Sequence, residues 1–347
     1  RFELRRLLRR RGRNTIGWKM RNVLLMPLLP AYGLERICSR TDSTWSWLLP
    51  ASRRAEGLCR AGGVELVYST GGPPVAHEVA RRISRRFRLK WLAEVQDPLI
   101  HGYCANNPAE LQKLAAVENK VYQQSHRMIF LTRAAMERTE ERIGRSGRGA
   151  VIYPGAPVTS PAADSPGRSG MLRLAHFGSL GGVRNLQPLI SALEIAAAAE
   201  PELRFRLRID LHGNVAGDDR SRIRQSGCAS LFNLRGAATR DWVLGAMPRY
   251  DVLLLIQGVH PISTETIPSK LYEYLHSGRR VLGLVYRNPE LQHLLEDFGH
   301  TAVQADDQQG IAENLRKIYA QWRMEYSFAA APSPYTVAAA VRRLLSL

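Results

Sequence analysis

Short unbroken apolar runs and longer stretches of helical period follow one another along most of this chain. In the first half, apolar runs at 64–68, 91–95, 128–131 and 151–153 read as strands, and helices are predicted at about 75–87, 108–125 and 134–143. The second half restarts the rhythm with strands at 172–177, 206–211, 231–234 and 252–256, and a helix running to about 199. The run at 252–256 shows no alternation, as expected of a central strand covered on both faces. A further helix opens near Pro268, whose missing N–H suits a first turn, carries Leu271 and Leu275 on one face, and stops at Gly278 before the apolar run 281–285. The run 289–295, the segment 301–304 and helices at about 311–322 and 336–345 complete the chain.

Helices of this length between short strands imply parallel sheets, so the fold class is α/β. Residues 154–170, dense in Pro, Gly, Ser and Ala and without apolar period, separate the two series. The expected organisation is a first domain over 1–153, a linker over 154–170, a second domain over 171–325 and a tail with a helix over 326–347. At 347 residues each domain is large enough to bury its own core.

Composition narrows the functions. The formal net charge of +18 attracts anions of any kind: nucleotides, nucleic acid or acidic headgroups. No zinc-finger spacing, RNP-like strand or helix-turn-helix pattern accompanies it, so no nucleic-acid partner is expected. Cys38, Cys59, Cys104 and Cys228 are scattered without metal-ligand spacing and read as reduced thiols. No apolar run reaches the ~20 residues that span a bilayer, and no signal peptide is visible, which points to the cytoplasm. Seven arginines within residues 1–13, followed by a Met-, Leu- and Pro-rich segment to Tyr32, suit either a solvated basic helix or attachment to an anionic membrane surface.

Three stretches carry candidate chemistry. Residues 178–185, GSLGGVRN, follow a strand and precede a helix; Gly178, Gly181 and Gly182 allow close backbone approach, and Arg184 adds a permanent forked cation suited to a diphosphate. Their spacing is not the dinucleotide fingerprint G-x-G-x-x-G. Residues 265–281, ETIPSKLYEYLHSGRRV, place Glu265 in a loop and Glu273 on the helix that follows, where a carboxylate can accept from two neighbouring hydroxyls of a sugar. Residues 69–77, STGGPPVAH, form a small-residue turn after a strand, the position at which open α/β sheets bind ligands, and 93–98, AEVQDP, end the next strand.

Glu265, seven residues, Glu273, then Gly278 and Val281 resemble the E-x7-E element of the retaining GT-B glycosyltransferases. GSLGGVRN likewise resembles that clan's G-[RS]-x4-[KR] segment, and STGGPPVAH with AEVQDP resembles the S-G-P-P-x-x-x-H and D-x-R-D-P pair of its bacterial members. The resemblance covers about residues 64–325 and implies two Rossmann-like domains facing a central cleft. It implies retaining transfer of a sugar from a UDP- or GDP-sugar to a glycan or lipid-linked acceptor, without metal or other cofactor. In that reading Glu273 holds the ribose and Glu265 the donor sugar. Arg184 meets the diphosphate at a loop of Gly178, Ser179, Gly181 and Gly182, and Lys270 supplies charge where Ser179 replaces a frequent Arg. Asp97 and His77 are the matching positions on the acceptor side, and the tail helix either caps its own domain or crosses back to the first. The setting implied is the cytoplasmic face of the inner membrane.

Residues 1–60 hold no match to the clan's first strand and glycine-rich loop. A catalytically impaired GT-B binding or scaffold protein is therefore the second class. A GT-B-like sugar-nucleotide epimerase, with His77, His101 or Asp97 as acid and base, is the third.

Overall fold

The computed structural model describes residues 27, 45–71, 74–100, 108–158, 170–324 and 331–347. The basic segment expected at a membrane, most of the linker, Gly72 and His101 lie outside the described residues. The chain divides into two compact units, residues 1–131 with 136–151, and residues 132–135 with 152–347.

Unit 1 comprises α1 (Trp45–Arg60), β1 (Leu66–Thr70), α2 (Pro74–Phe87), β2 (Lys90–Val95), α3 (Pro108–Gln124), β3 (Arg127–Phe130), most of α4 (Arg133–Ile143) and β4 (Gly149–Val151). Its four strands pair in parallel in the order β1-β2-β3-β4. Val75, Val79 and Ile83 recur along α2 at helical spacing and pack with Leu48 of α1 into one core cluster. Two strands are displaced from the apolar runs that announced them. β1 begins at Leu66 because Gly62 and Gly63, at φ of 87° and 77°, turn the chain until then. β4 begins at Gly149, where pairing with Met128 starts, rather than at Val151.

Unit 2 holds β5 (Leu172–Phe177), α5 (Gln187–Ala199), the short α6 (Leu203–Arg206), β6 (Leu207–His212), α7 (Gly217–Gln225), β7 (Phe232–Gly236), α8 (Arg240–Ala246), β8 (Val252–Ile256), α9 (Lys270–His276), β9 (Arg280–Val285), α10 (Pro289–Glu296), β10 (Thr301–Gln304), α11 (Gln308–Arg323) and α12 (Val337–Leu345). Six parallel strands lie in the order β10-β9-β8-β5-β6-β7. The chain builds outward from β5 to β7, then returns to build outward again from β8, which is the doubly wound order with its switch point between β5 and β8.

Alternation along the strands divides the core by face. Leu174, Ile209 and Leu254 turn to one layer with α5 and α11, while Ala175, Phe177, Leu253 and Leu255 turn to the other with α9 and α10. All five residues of β8 are buried, as its unbroken apolar run implies. Truncating a fully buried member such as Leu193 to alanine should cost about 2–5 kcal/mol. α9 starts at Lys270, with Ser269 at its N-cap, so Pro268 stands just before the helix rather than in its first turn. Gly278 ends it at φ 69°, as its sequence position implied.

Candidate functional site

β5 delivers the chain to the switch point, where an open α/β sheet leaves a crevice beyond the carboxyl ends of its strands. Gly178, the next residue, donates its N–H to the His212 carbonyl at 2.7 Å, which ties the loop to the end of β6. Gly178 and Gly213 have φ of 131° and 141°. A Cβ on Gly213 would stand 2.3 Å from the Gly178 carbonyl oxygen, and one on Gly178 would stand 2.5 Å from Lys270 Nζ. Glycines let these two backbones and the lysine converge. Beyond them, Gly181 and Arg184 exchange backbone hydrogen bonds of 2.9 and 3.2 Å, which closes the loop on itself.

Two cations meet at this loop. Lys270 Nζ lies 3.3 Å from His176 Nε2, while His176 Nδ1 lies 2.9 Å from the Leu254 carbonyl. A carbonyl only accepts, so Nδ1 carries the ring proton and the bare Nε2 accepts from the lysine. His176 is completely buried, and burial, reinforced by the Lys270 charge, holds its pKa well below the usual range. The imidazole is thus neutral, and Lys270 is held by an acceptor that offers no counter-charge. Burial and then the Arg184 charge lower the Lys270 pKa to about 7, against the opposing pull of Glu273. Arg184 Nε is buried without a hydrogen-bond partner. Among the described residues neither Lys270 nor Arg184 forms an ion pair with a carboxylate; Glu273 is instead engaged by Arg240.

The two glutamates are fixed differently. Glu273 Oε1 accepts from Arg240 Nε at 2.9 Å and Nη2 at 2.8 Å, so Oε2 is left to face other donors. Arg240 opens α8, whose N-cap Thr239 accepts from Trp242 N–H. Glu265 follows the short turn Pro261–Thr264 and is 8% exposed. Buried amides clamp this segment: Gln257 donates to the Ser263 and Thr266 carbonyls at 3.0 and 2.8 Å, and Asn288 donates to the same two at 2.7 and 3.0 Å. The Thr132 hydroxyl donates to the Glu265 carbonyl at 2.6 Å. The turn that carries Glu265 is thus held by side chains from three other segments.

Unit 2 therefore contains Gly178, Ser179, Gly181, Gly182, Arg184, Glu265, Lys270 and Glu273, with Ser179 exposed at the loop. His77 and Asp97 belong to unit 1. His77 sits inside α2 with 0% exposure, and its Nδ1 lies 2.9 Å from Ser69 Oγ, which accepts from Trp91 Nε1 at 2.8 Å. Burial lowers its pKa to about 4, so the ring is neutral. Asp97 is exposed just past β2.

Sequence reasoning missed His176, Gly213, Arg240, Thr132 and the amides Gln257 and Asn288. Of these, His176 left a trace: a histidine in the otherwise buried strand LRLAHF demands a partner. The rest come from distant segments and carry no local pattern.

No protein-family model and no curated protein sequence matches the chain. Its structure does match solved ones. Anabaena HepE in complex with UDP superposes with a TM-score of 0.61 at 16% identity, covering 85% of this chain and 77% of that one. S. aureus TarM, in a complex with fondaparinux, α-GlcNAc-glycerol and UDP, gives a TM-score of 0.64 at 11% identity, covering 86% of this chain and 58% of that one. The lipopolysaccharide outer core galactosyltransferase WaaB gives 0.59 at 11% identity, covering 86% and 79%. At these identities the likeness establishes the fold: it is that of the GT-B glycosyltransferases.

Proposed function

We propose that this protein is a glycosyltransferase that moves a sugar from a nucleotide-sugar donor to an acceptor. The observation that carries the reading is the pair of cations at the Gly178 loop, Arg184 and Lys270, neither of them ion-paired with a carboxylate among the described residues, at the switch point of a doubly wound sheet. Two cations near one loop repel one another unless an anion joins them. A diphosphate supplies it, and Gly178 leaves room for its close approach. Solved structures of the same fold hold UDP, in HepE and in TarM.

Each role follows from the chemistry of the residue. Arg184 and Lys270 would offset the charge that builds on the departing diphosphate, in a site that does not have to reorganise to do so. Glu273, whose Oε2 takes no part in the two Arg240 bonds, would accept from the ribose hydroxyls. Glu265, on its clamped turn, would meet the donor sugar. In this reading the donor is a UDP- or GDP-sugar, transfer proceeds with retention in the E-x7-E manner, and no metal takes part. The acceptor is a lipid-linked or cell-surface glycan precursor at the cytoplasmic face of a membrane. Among the described residues no helix is long and apolar enough to cross a bilayer, so attachment would rest on the basic segment 1–32.

A calorimetric titration with UDP, GDP, dTDP and CMP tests the donor site. One nucleotide should bind the wild type, and Arg184→Gln or Lys270→Gln should each weaken it at least about tenfold, the ordinary cost of a lost charge-assisted bond. Binding of none of the four would refute the reading. Incubation of the matching nucleotide sugar with lipid extracts, followed by NMR of the product's anomeric proton, separates retention from inversion and transfer from epimerisation. Deleting residues 1–32 should abolish binding to anionic liposomes.

A further inference from the structure

Unit 2 carries a second concentration of positive charge, lower on the same sheet. Between α8 and the β5–β7 face runs an open groove of about 680 Å³, lined by Arg173 of β5, Asp210 and His212 of β6, Arg235 of β7, and Trp242 and Arg249 on the α8 side. Phe177 pairs with His212 at the carboxyl end of β5, while Arg173 pairs with Arg208 four residues lower. At ~3.3 Å per residue the Arg173 end lies ~16 Å below the Gly178 loop.

Asp210 organises this groove. It is 4% exposed and accepts from Asn233 Nδ2 at 2.8 Å and from Tyr250 Oη at 2.9 Å, with Arg235 Nε at 3.4 Å and Arg173 Nη2 at 3.8 Å. Burial alone would raise its pKa, but the Asn233 and Tyr250 bonds and the Arg235 charge outweigh it and hold the carboxyl below its ordinary range. Tyr250 Oη also lies 2.8 Å from His212 Nε2, and Arg173 stacks over the Tyr250 ring at 5.0 Å. The acid is saturated by donors that hold two of the guanidiniums in place. The groove's lining sets one carboxylate against three arginines, and even with Asp251, which accepts from Arg173 N–H at 2.7 Å just outside it, positive charge is left over, gathered from separate elements against mutual repulsion.

We propose that this groove binds an oxyanion, a phosphate, sulfate or carboxylate, gripped by Arg235 and Arg249 and distinct from the anion at the Gly178 loop. Guanidinium forks match such groups two bonds at a time. Arg249 is exposed and can swing to a ligand, and Arg235, held through Nε by Asp210, is half exposed, whereas Arg173 and Asp210 set the floor. At the upper end Trp242 leans on His212 at 4.9 Å and keeps 46% of its surface open, a face on which a sugar ring carrying the anion can stack. The groove adjoins the Gly178 loop, since the His212 carbonyl accepts from Gly178 N–H, but neither Arg235 nor Arg249 belongs to that loop, and the proposal does not rest on the donor reading.

The test is thermal unfolding of the full chain with inorganic phosphate, glucose 6-phosphate or glucuronate. Potassium chloride at equal ionic strength and glucose serve as controls. The anions should raise the midpoint of the wild type above both controls, and the Arg235→Gln, Arg249→Gln double variant should lose at least about tenfold in apparent affinity. The Arg184→Gln, Lys270→Gln double variant should keep the response. A larger rise with the two sugar anions assigns the groove to a sugar-borne group, and equal rises assign it to the oxyanion alone. Three outcomes overturn the proposal: no rise beyond the controls, a rise that survives Arg235→Gln with Arg249→Gln, or a rise lost only when Arg184 and Lys270 are replaced.

Discussion

At Lys270 stability and binding pull in opposite directions. Its amine is held by a neutral histidine, and its folded-state pKa of about 7 lies below its ordinary 10.5. Between those values the unfolded chain binds the extra proton, so this lysine's contribution makes the fold more stable as pH rises through that window. A diphosphate selects the protonated form. Nucleotide affinity should therefore be flat below pH 7 and fall towards tenfold per pH unit above it, in titrations from pH 6 to 9, with the dependence absent in Lys270→Met. The same Lys270→Met should raise stability by about 1–2 kcal/mol at pH 7 in urea unfolding while weakening the nucleotide, since it removes a partly buried cation without a counter-ion. Gly178→Ala should do the reverse of a mild change. At φ 131° and with Nζ 2.5 Å from the new methyl, it should cost about 1–3 kcal/mol and displace the amine. Glu273 was legible as a chemical group from its spacing to Glu265, but its ion pair with Arg240 was not, because those two residues are 33 positions apart.

Among the elements, α4 shows how a helix start depends on a distant segment. Its first amides, Arg133 N–H and Ala134 N–H, are capped by Glu290 of α10 at 2.7 and 3.0 Å, and Tyr153 Oη adds a third bond to the same carboxylate at 2.6 Å. Glu290→Ala should cost about 1–2 kcal/mol by urea unfolding, as lost caps do, because three donors are left without their acceptor. Arg240→Ala, by contrast, should change stability by less than about 1 kcal/mol, since its partner bond is largely solvent-exposed. A calorimetric shift in nucleotide affinity on Arg240→Ala would show that the arginine tunes how freely Glu273 meets a hydroxyl. Strand β8 could be read to the residue because it is a short apolar run between Asp251 and Gln257, and β5 because Gly178 ends it where the glycine loop begins. α1, α7 and α8 were not announced: α1 contains an internal proline, and α7 carries mostly charged residues, so neither shows a clean apolar stripe.

At the scale of the molecule, a net charge of +18 governs how anions arrive. Nucleotide association should slow markedly between about 50 and 500 mM salt in stopped-flow measurements, because added ions screen long-range attraction beyond a few ångströms. The sequence by itself determined the α/β class, the repeated series of strands and helices, and the glycine loop and glutamate helix of the second series. These rest on local spacing: apolar period sets strand or helix, and a glycine after a strand permits the turn whatever surrounds it. Tertiary structure alone decided the strand order with its return from β7 to β8, which brings Gly178 and Lys270 together across 92 positions. It alone placed His176 under the lysine, the amides of Gln257 and Asn288 around the Glu265 turn, and Asp210 at the centre of an arginine groove. These contacts arise where separate strands end side by side, and no period along the chain encodes which ends become neighbours.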